Sequence, residues 1–327
     1  MPRAIVALGG NTLLRSGEGT VAEQRERLRE TRAALRPLRE RDDEVVFTHG
    51  NGPQVGNRLL AEEESSGSTE PLDVIGAETQ AQVGYLLQGA FGDAFGPDPA
   101  VVVTRTRVDP DDPAFETPTK PIGPYYTQAE AAEQPFETTE VHRDGETAYR
   151  RVVPSPKPAS VLEIDRIRTL ARDDAGPVIC GGGGGVPVVA AGKSDGSVAS
   201  TETEHDDSVA PDEGTRFEGV AAVIDKDHTS RLVAEAVDAD ELLLLTDVDA
   251  AYVDYGTEDQ RPIGATTPPE LREYLDAGEF AAGSMQPKVE ASVDFVEAVG
   301  GRAIITSPDK LADGLRGEAG TRVTTTD

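Results

Sequence analysis

The chain holds six lysines among 31 basic residues, set against 60 acidic ones, and three of the six are set in Gly- or Pro-bounded loops or at helix starts. Lys120 lies in TPTKPIGP, Lys226 in VIDKDHTS and Lys288 in AGSMQPKVEA. A lysine ammonium is a compact point charge with three rotatable donors, suited to a phosphoryl group that moves. Lys226 stands between Asp225 and Asp227, just after an apolar run. A surface ion pair, worth about 0–1 kcal/mol, would account for that triplet without any function. A phosphate-handling lysine with an aspartate to hold it accounts for it equally. Asp227 is also a plausible N-cap for the helix that follows. Lys226 then stands at the helix mouth, where dipole and ammonium together favour a phosphate. Gly283 and Ser284 open a helix carrying Lys288 in the same way.

Glycine-rich turns supply the second set of candidates. ALGGNT (7–12) follows an apolar run, and paired glycines let a backbone approach a ligand and turn its N–H groups inward as an anion nest. A plain turn reads the same way. THGNGPQVG (48–56) places Gly50, Asn51 and Gly52 ahead of Pro53, a suitable first helical residue, so that a helix N-terminus behind glycines faces any anion. CGGGGGVPV (180–188) spends unfolded-state entropy on five consecutive glycines, which favours close backbone approach over a linker. LTDVDAAYVDYG (245–256) ends another apolar run with polar groups and aromatic faces of the kind a nucleotide base uses, or is an ordinary strand exit. PVVAAGKS resembles a phosphate-binding loop but has Pro187 in place of its first glycine, and GNGPQVG misses the dinucleotide fingerprint by one position. On the residues alone, the chemistry is ATP-dependent phosphate transfer to a small anion.

These turns need a scaffold, and the hydrophobic pattern predicts one. RAIVALGG, EVVFTHG, AVVVTRTRV, PVICGGG, ELLLLTDV and RAIITS read as buried strands. VAEQRERLRETRAALRPLRE, DVIGAETQAQVGYLLQGAF, TSRLVAEAV and VEASVDFVEAV read as helices. Continuous apolar strands alternating with helices imply a mostly parallel sheet covered on both faces, with ligands beyond the strands' carboxyl ends. A single domain over 1–327 is expected. Within it, the proline-rich 109–158 reads as a small subdomain or flap, and the acidic 193–216 as a solvated surface insert.

Composition narrows the function classes. A net charge of −29 with 37% hydrophobic residues matches an acidic surface screened by concentrated salt, and it repels nucleic acid and anionic membranes. The single cysteine, Cys180, reads as a buried apolar residue, and with four scattered histidines no Cys- or His-based metal site is expected. The opening MPRAIVALGG is interrupted too quickly for a signal peptide, and no stretch approaches the ~20 apolar residues of a membrane span, so a cytoplasmic location is expected.

Taken together and in order, ALGGN, THGNGPQVG, PTKPIGPYY, VVPSPKP, the glycine run before VPV, AVIDKD, LTDV, GSM-PK and GTRV resemble carbamate kinase, a family of the amino acid kinase superfamily. The match runs from about residue 4 to 324, and THGNGPQVG with PTKPIGP is its most specific part. The resemblance implies a homodimeric three-layer α/β/α sandwich around an eight-stranded, mostly parallel sheet, with a protruding subdomain over the site. It implies the reaction ATP + carbamate ⇌ ADP + carbamoyl phosphate with Mg²⁺, run toward ATP in arginine fermentation.

Carried over by residue, it implies that Gly9, Gly10 and Asn11 form the first phosphate and carbamate loop, and Gly50, Asn51 and Gly52 the carbamate turn. Lys120 would reach the transferring phosphoryl group from the flap. Lys226 and Lys288 would hold nucleotide phosphates, organised by Asp227. Asp225, Thr246, Asp247, Val248, Tyr252, Tyr255 and Ser284 would border the nucleotide, with Asp225 nearest the metal. No protein metal cage is expected, Mg²⁺ travelling on the nucleotide. The sequence departs from the pattern at Gln286, where glycine is usual, and at His228 and its neighbours after IDKD, where small or apolar residues are usual. Two other readings stand beside this one: another small-acid kinase of the superfamily, and a catalytically silent nucleotide-binding regulator.

Overall fold

The computed structural model describes residues 2–10, 20–41, 43–63, 70–143, 146–172, 176–193 and 214–325. Eight strands form the main sheet. From one edge to the other they run Ala265–Thr266, Thr321–Val323, Arg302–Thr306, Glu241–Leu245, Arg3–Leu8, Glu44–His49, Val178–Cys180 and Ala100–Val101. Neighbours are parallel except Arg302–Thr306 against Thr321–Val323. Five of the six apolar runs predicted as strands are therefore the interior of this sheet, buried on both faces.

Side chains alternate across a strand, and that alternation divides the interior in two. Ile5, Ala7, Val46, Leu242, Leu244, Ala303 and Ile305 face one core, with Val233 from the helix Lys226–Ala236 and Val289, Val293 and Phe295 from the helix Met285–Val299. Ala4, Val6, Leu8, Phe47, Leu243, Leu245 and Ile304 face the other, with Leu28 from Val21–Ala34 and Val83, Leu87 and Phe91 from Leu72–Phe95. Three layers result. In the second core, Phe91 and Phe95 stack on Phe47 with centroids 4.6 and 5.2 Å away, spacings typical of favourable tilted and edge-on aromatic pairs.

Two smaller sheets attach to this frame. One runs Thr215–Gly219, Val186–Lys193, Arg105–Val108, Pro158–Val161. The other, Lys120–Tyr126, Glu146–Val153 and Thr138–Arg143, is antiparallel and carries Lys120. Its Ile122 and Val153 pack on Val55, Leu59, Leu72 and Ile75 of the helices Gly52–Glu63 and Leu72–Phe95.

The structure revises three sequence expectations in detail. AVVVTRTRV is two strands in different sheets, because the buried Thr104 leaves the ladder to bond elsewhere. Its N–H donates to Gln80 Oε1 at 3.0 Å, and its hydroxyl accepts from Gly181 N at 2.9 Å. The first long amphipathic stretch divides into Val21–Ala34 and Arg36–Glu40 at Leu35, ahead of Pro37, whose ring cannot continue the preceding helix. The ends of the 193–216 segment belong to strands, with Lys193 opposite Thr215; its remainder, 194–213, lies outside the described residues.

Candidate active site

The carboxyl ends of the central parallel strands gather the glycine turns. Arg3–Leu8 leads into Gly9 and Gly10, and Glu44–His49 into Gly50 and Asn51. Gly50 N donates to the Leu8 carbonyl at 2.9 Å, and a methyl group on Gly50 would stand 3.0 Å from Gly10 N. The two turns therefore touch, and only glycine lets them. Asn51 is buried and donates to Thr79 Oγ1 at 2.9 Å. Asn11 lies outside the described residues.

The five-glycine run packs against these turns. At Gly183, φ is +60° and a Cβ would lie 2.1 Å from Asn51 Oδ1; at Gly185, φ is +88° and a Cβ would lie 2.1 Å from Thr106 Oγ1. Both positions require glycine for conformation and for space. The run is thus the back wall that presses Asn51 into place.

Opposite it stand the lysines. Asp225 is the N-cap of the helix Lys226–Ala236, its Oδ1 accepting from Asp227 N at 3.1 Å. This corrects the cap predicted at Asp227: the extended backbone of Asp225, φ −72° and ψ 123°, marks the boundary. Asp227 is freed for another task. Its side chain, 1% exposed, is gripped by Lys226 Nζ on Oδ1 and by Lys288 Nζ on Oδ2 at 2.9 Å. Lys288, from the first turn of Met285–Val299, also donates to the Ser284 carbonyl at 3.1 Å. Lys120 arrives from the three-stranded sheet and donates to Asp225 Oδ2 at 2.8 Å and to the Gly283 carbonyl at 3.0 Å. Three of the six lysines thus meet two aspartates.

Burial alone would raise the Asp227 carboxyl, but the two ammoniums outweigh it and hold it well below the carboxylate range. Burial also lowers Lys226, with the Lys288 charge adding to that and Asp227 opposing it. For Lys288 the balance tips upward, since attraction to Asp227 and Asp225 exceeds the burial penalty. His49 is 2% exposed, donates from Nδ1 to the Gly50 carbonyl at 3.2 Å, and is pushed down to about 4 by burial, so it is neutral at physiological pH. Cys180, buried behind the glycines, is pushed up to about 12 and is a packing group.

Between the glycine wall and the lysines lies a cleft of about 760 Å³. It brings together Gly10, Gly50, Asn51, Gly52, Lys120, Asp225, Lys226, Asp227 and Lys288. Gly9, Thr246, Asp247, Val248, Tyr252, Tyr255 and Ser284 do not line it. Thr246 continues the central strand Glu241–Leu245, its N–H on the Thr306 carbonyl at 3.0 Å, and the Asp247 charge reaches Lys288. Tyr252 and Tyr255 form a tilted pair at 5.9 Å, with Tyr255 exposed.

Sequence reasoning missed Arg150 and Tyr125 in the cleft wall. Arg150 donates twice to the Gly123 carbonyl, at 3.0 and 2.7 Å, and its guanidinium lies 4.9 Å from the centre of the Tyr125 ring. That cation–π stack and bidentate grip shape the strand that delivers Lys120. Proline-bounded spacing marked Lys120, whereas nothing local to TAYRRVV distinguishes Arg150 from a surface arginine. Among the described residues, no three His, Cys, Asp or Glu side chains converge as a metal cluster. The hard carboxylate oxygens of Asp225 suit an ion that arrives on phosphates and needs few protein ligands.

Comparison with known proteins agrees with this geometry. The amino acid kinase family profile matches residues 204–307. The chain is 49% identical to carbamate kinase of Halobacterium salinarum, with 100% of each chain covered, and 41% identical to carbamate kinase of Haemophilus influenzae, covering 98% of this chain and 96% of that one. Carbamate kinase from Giardia lamblia, solved bound to AMP-PNP, superposes with a TM-score of 0.79 at 35% identity, covering 99% of this chain and 98% of that one.

Proposed function

The chain belongs to the carbamate kinase family, and from that premise we propose that its cleft transfers a phosphoryl group between carbamoyl phosphate and ADP. The observation that carries the proposal is the convergence of Lys120, Lys226 and Lys288 on Asp225 and Asp227, facing glycine turns across the cleft. Phosphoryl transfer asks a protein mainly for alignment and charge neutralisation. Lysines and glycine N–H groups aimed at the phosphoryl oxygens provide both.

Asp227 holds Lys226 and Lys288 at fixed positions against nucleotide phosphates. Lys120 leaves Asp225 and the Gly283 carbonyl to follow the transferring group. Gly10, Gly50, Asn51 and Gly52 receive the carbamate end. Carbamate oxygen is already anionic, so no strong general base is needed, and His49, held at about 4 by burial, is a weak one. Mg²⁺, when bound on the nucleotide, supplies further charge neutralisation beside Asp225. Thr246, Asp247, Val248, Tyr252, Tyr255 and Ser284 extend the site toward the nucleoside. The wider reading is a homodimeric cytoplasmic enzyme of arginine fermentation, working toward ATP in concentrated salt. The sheet of 120–153 acts as its flap.

The test is ATP formation from ADP and carbamoyl phosphate with Mg²⁺, at molar KCl and at low salt, alongside Lys120→Ala and Lys226→Ala. Fast ATP formation in high salt, lost in both variants, is expected. Folded protein that makes no ATP at any salt would refute the assignment.

A further inference from the structure

The two places where the sequence departs from the family pattern, His228 and Gln286, meet on one carboxylate. His228 follows Lys226 by two residues on its helix, and its Nε2 lies 3.3 Å from Glu290 Oε2. Glu290 follows Lys288 by two residues on the neighbouring helix, and its Oε1 accepts from Gln286 Nε2 at 2.9 Å. A third element reaches the same group: Lys157 Nζ lies 3.7 Å from Glu290 Oε2.

Lys157 stands on the chain returning from the sheet that carries Lys120. Its backbone N–H donates at 2.9 Å to Oδ2 of Asp112, on the chain leading out to that sheet. One carboxylate thus joins both lysine helices and the root of the third lysine's sheet. The hydrogen bond from His228, with those from Gln286 and the Lys157 charge, outweighs burial and holds the Glu290 carboxyl at about 2, so it is anionic throughout the working range.

Asp227 gathers the two ammoniums, but it belongs to one helix only. Should the helix mouths part, Asp227 would follow Lys226 and release Lys288. Val233, Val289 and Val293 share a core that holds the helix bodies together, and the side-chain bridge beside the lysines is the contact placed to fix the spacing of the helix mouths. We infer that Glu290, held by His228, is a positioning residue that sets the separation of Lys226 and Lys288 over the nucleotide phosphates. This rests on the phosphoryl-transfer reading of the cleft.

Misplacement by about 1 Å away from the chemistry can cost on the order of 100-fold in rate, and a partial loosening about tenfold. Loosened lysines still meet a bound phosphate, so the loss falls on kcat and not on KM.

The experiment compares wild type, His228→Phe, His228→Gln, Glu290→Gln and the double variant His228→Phe/Glu290→Gln in steady-state ATP formation at molar KCl. Phenylalanine fills the histidine's space without a donor; glutamine restores a donor. Expected are about tenfold lower kcat in His228→Phe and Glu290→Gln, with both KM values within about twofold. Expected too are recovery to within about threefold in His228→Gln and a double variant no worse than either single one. Single variants with kcat within about twofold of wild type, losses that multiply in the double, a change confined to KM, or no recovery in His228→Gln would each overturn this inference alone. A wild type that makes no ATP would overturn it together with the phosphoryl-transfer reading.

Discussion

Replacing Asp227 by asparagine keeps the shape of the side chain and removes its charge. At 1% exposure, Asp227 compensates two ammoniums, Lys226 and Lys288, whose side chains are only 10% and 11% exposed. The amide can accept from one of them, but its NH₂ then faces the other. Breaking a buried ion pair by removing one partner costs about 3–5 kcal/mol. Unfolding entropy of roughly 2.1 cal/mol/K per residue over 327 residues gives about 0.7 kcal/mol/K, so a loss of about 4 kcal/mol lowers Tm by about 6 °C. The same change releases the lysines from their shared anchor, and ATP formation should fall by about 100-fold or more. The sign with pH is fixed by the carboxyl's depressed pKa. Its stabilisation is fully present above the unfolded value of 3.8 and is lost only as pH falls through the much lower folded value. Wild type and Asp227→Asn should therefore differ at neutral pH and converge in strong acid. Thermal melts in molar KCl at several pH values, with coupled ATP assays, measure both effects. A Tm within about 1 °C of wild type with a rate within about threefold would refute the role given to Asp227.

Two further outcomes follow from the site. His49 is held at about 4 against an ordinary 6.5, so between those values the unfolded chain binds more protons and stability falls as pH falls. The full difference is about 3 kcal/mol. Urea titrations of wild type and His49→Gln from pH 7 to 4 check it, and parallel losses in the two proteins would contradict it. Gly183→Ala forces a left-handed alanine and drives its Cβ into Asn51 Oδ1. ATP formation should fall at least tenfold and the KM for carbamoyl phosphate should rise, whereas unchanged kinetics would mean that the glycine wall does not set Asn51.

The main sheet was legible because strands buried on both faces read as unbroken apolar runs, each stopping at glycine or threonine at the strand's carboxyl end. The lysines were legible because six among 60 acidic residues leave little noise. DKD was read with its cap at Asp227, and only the backbone angles at Asp225 separate the cap from the anchor. The glycine run announced a close approach without naming what approaches: Asn51, Thr106 and Ile224 come from three distant segments. Arg150 gave no local signal, since its stack on Tyr125 depends on the pairing of two strands. The residues expected around the nucleoside follow the central strands as read, yet they stand outside the cleft that holds the lysines, which order along the chain could not foretell.

The separation of charge across this molecule has a consequence for how substrates arrive. Nucleotide and carbamoyl phosphate are anions, and a body of net charge −29 turns them away wherever its field extends into solvent. At ~0.01 M salt that field reaches about 30 Å, and at ~1 M only about 3 Å. Concentrated salt therefore removes the barrier to encounter, while the lysines, paired at contact distance with Asp225 and Asp227, act on anions inside the cleft at a range that salt screens less. In salt of that concentration, long-range steering is absent and anions are selected only once they are inside.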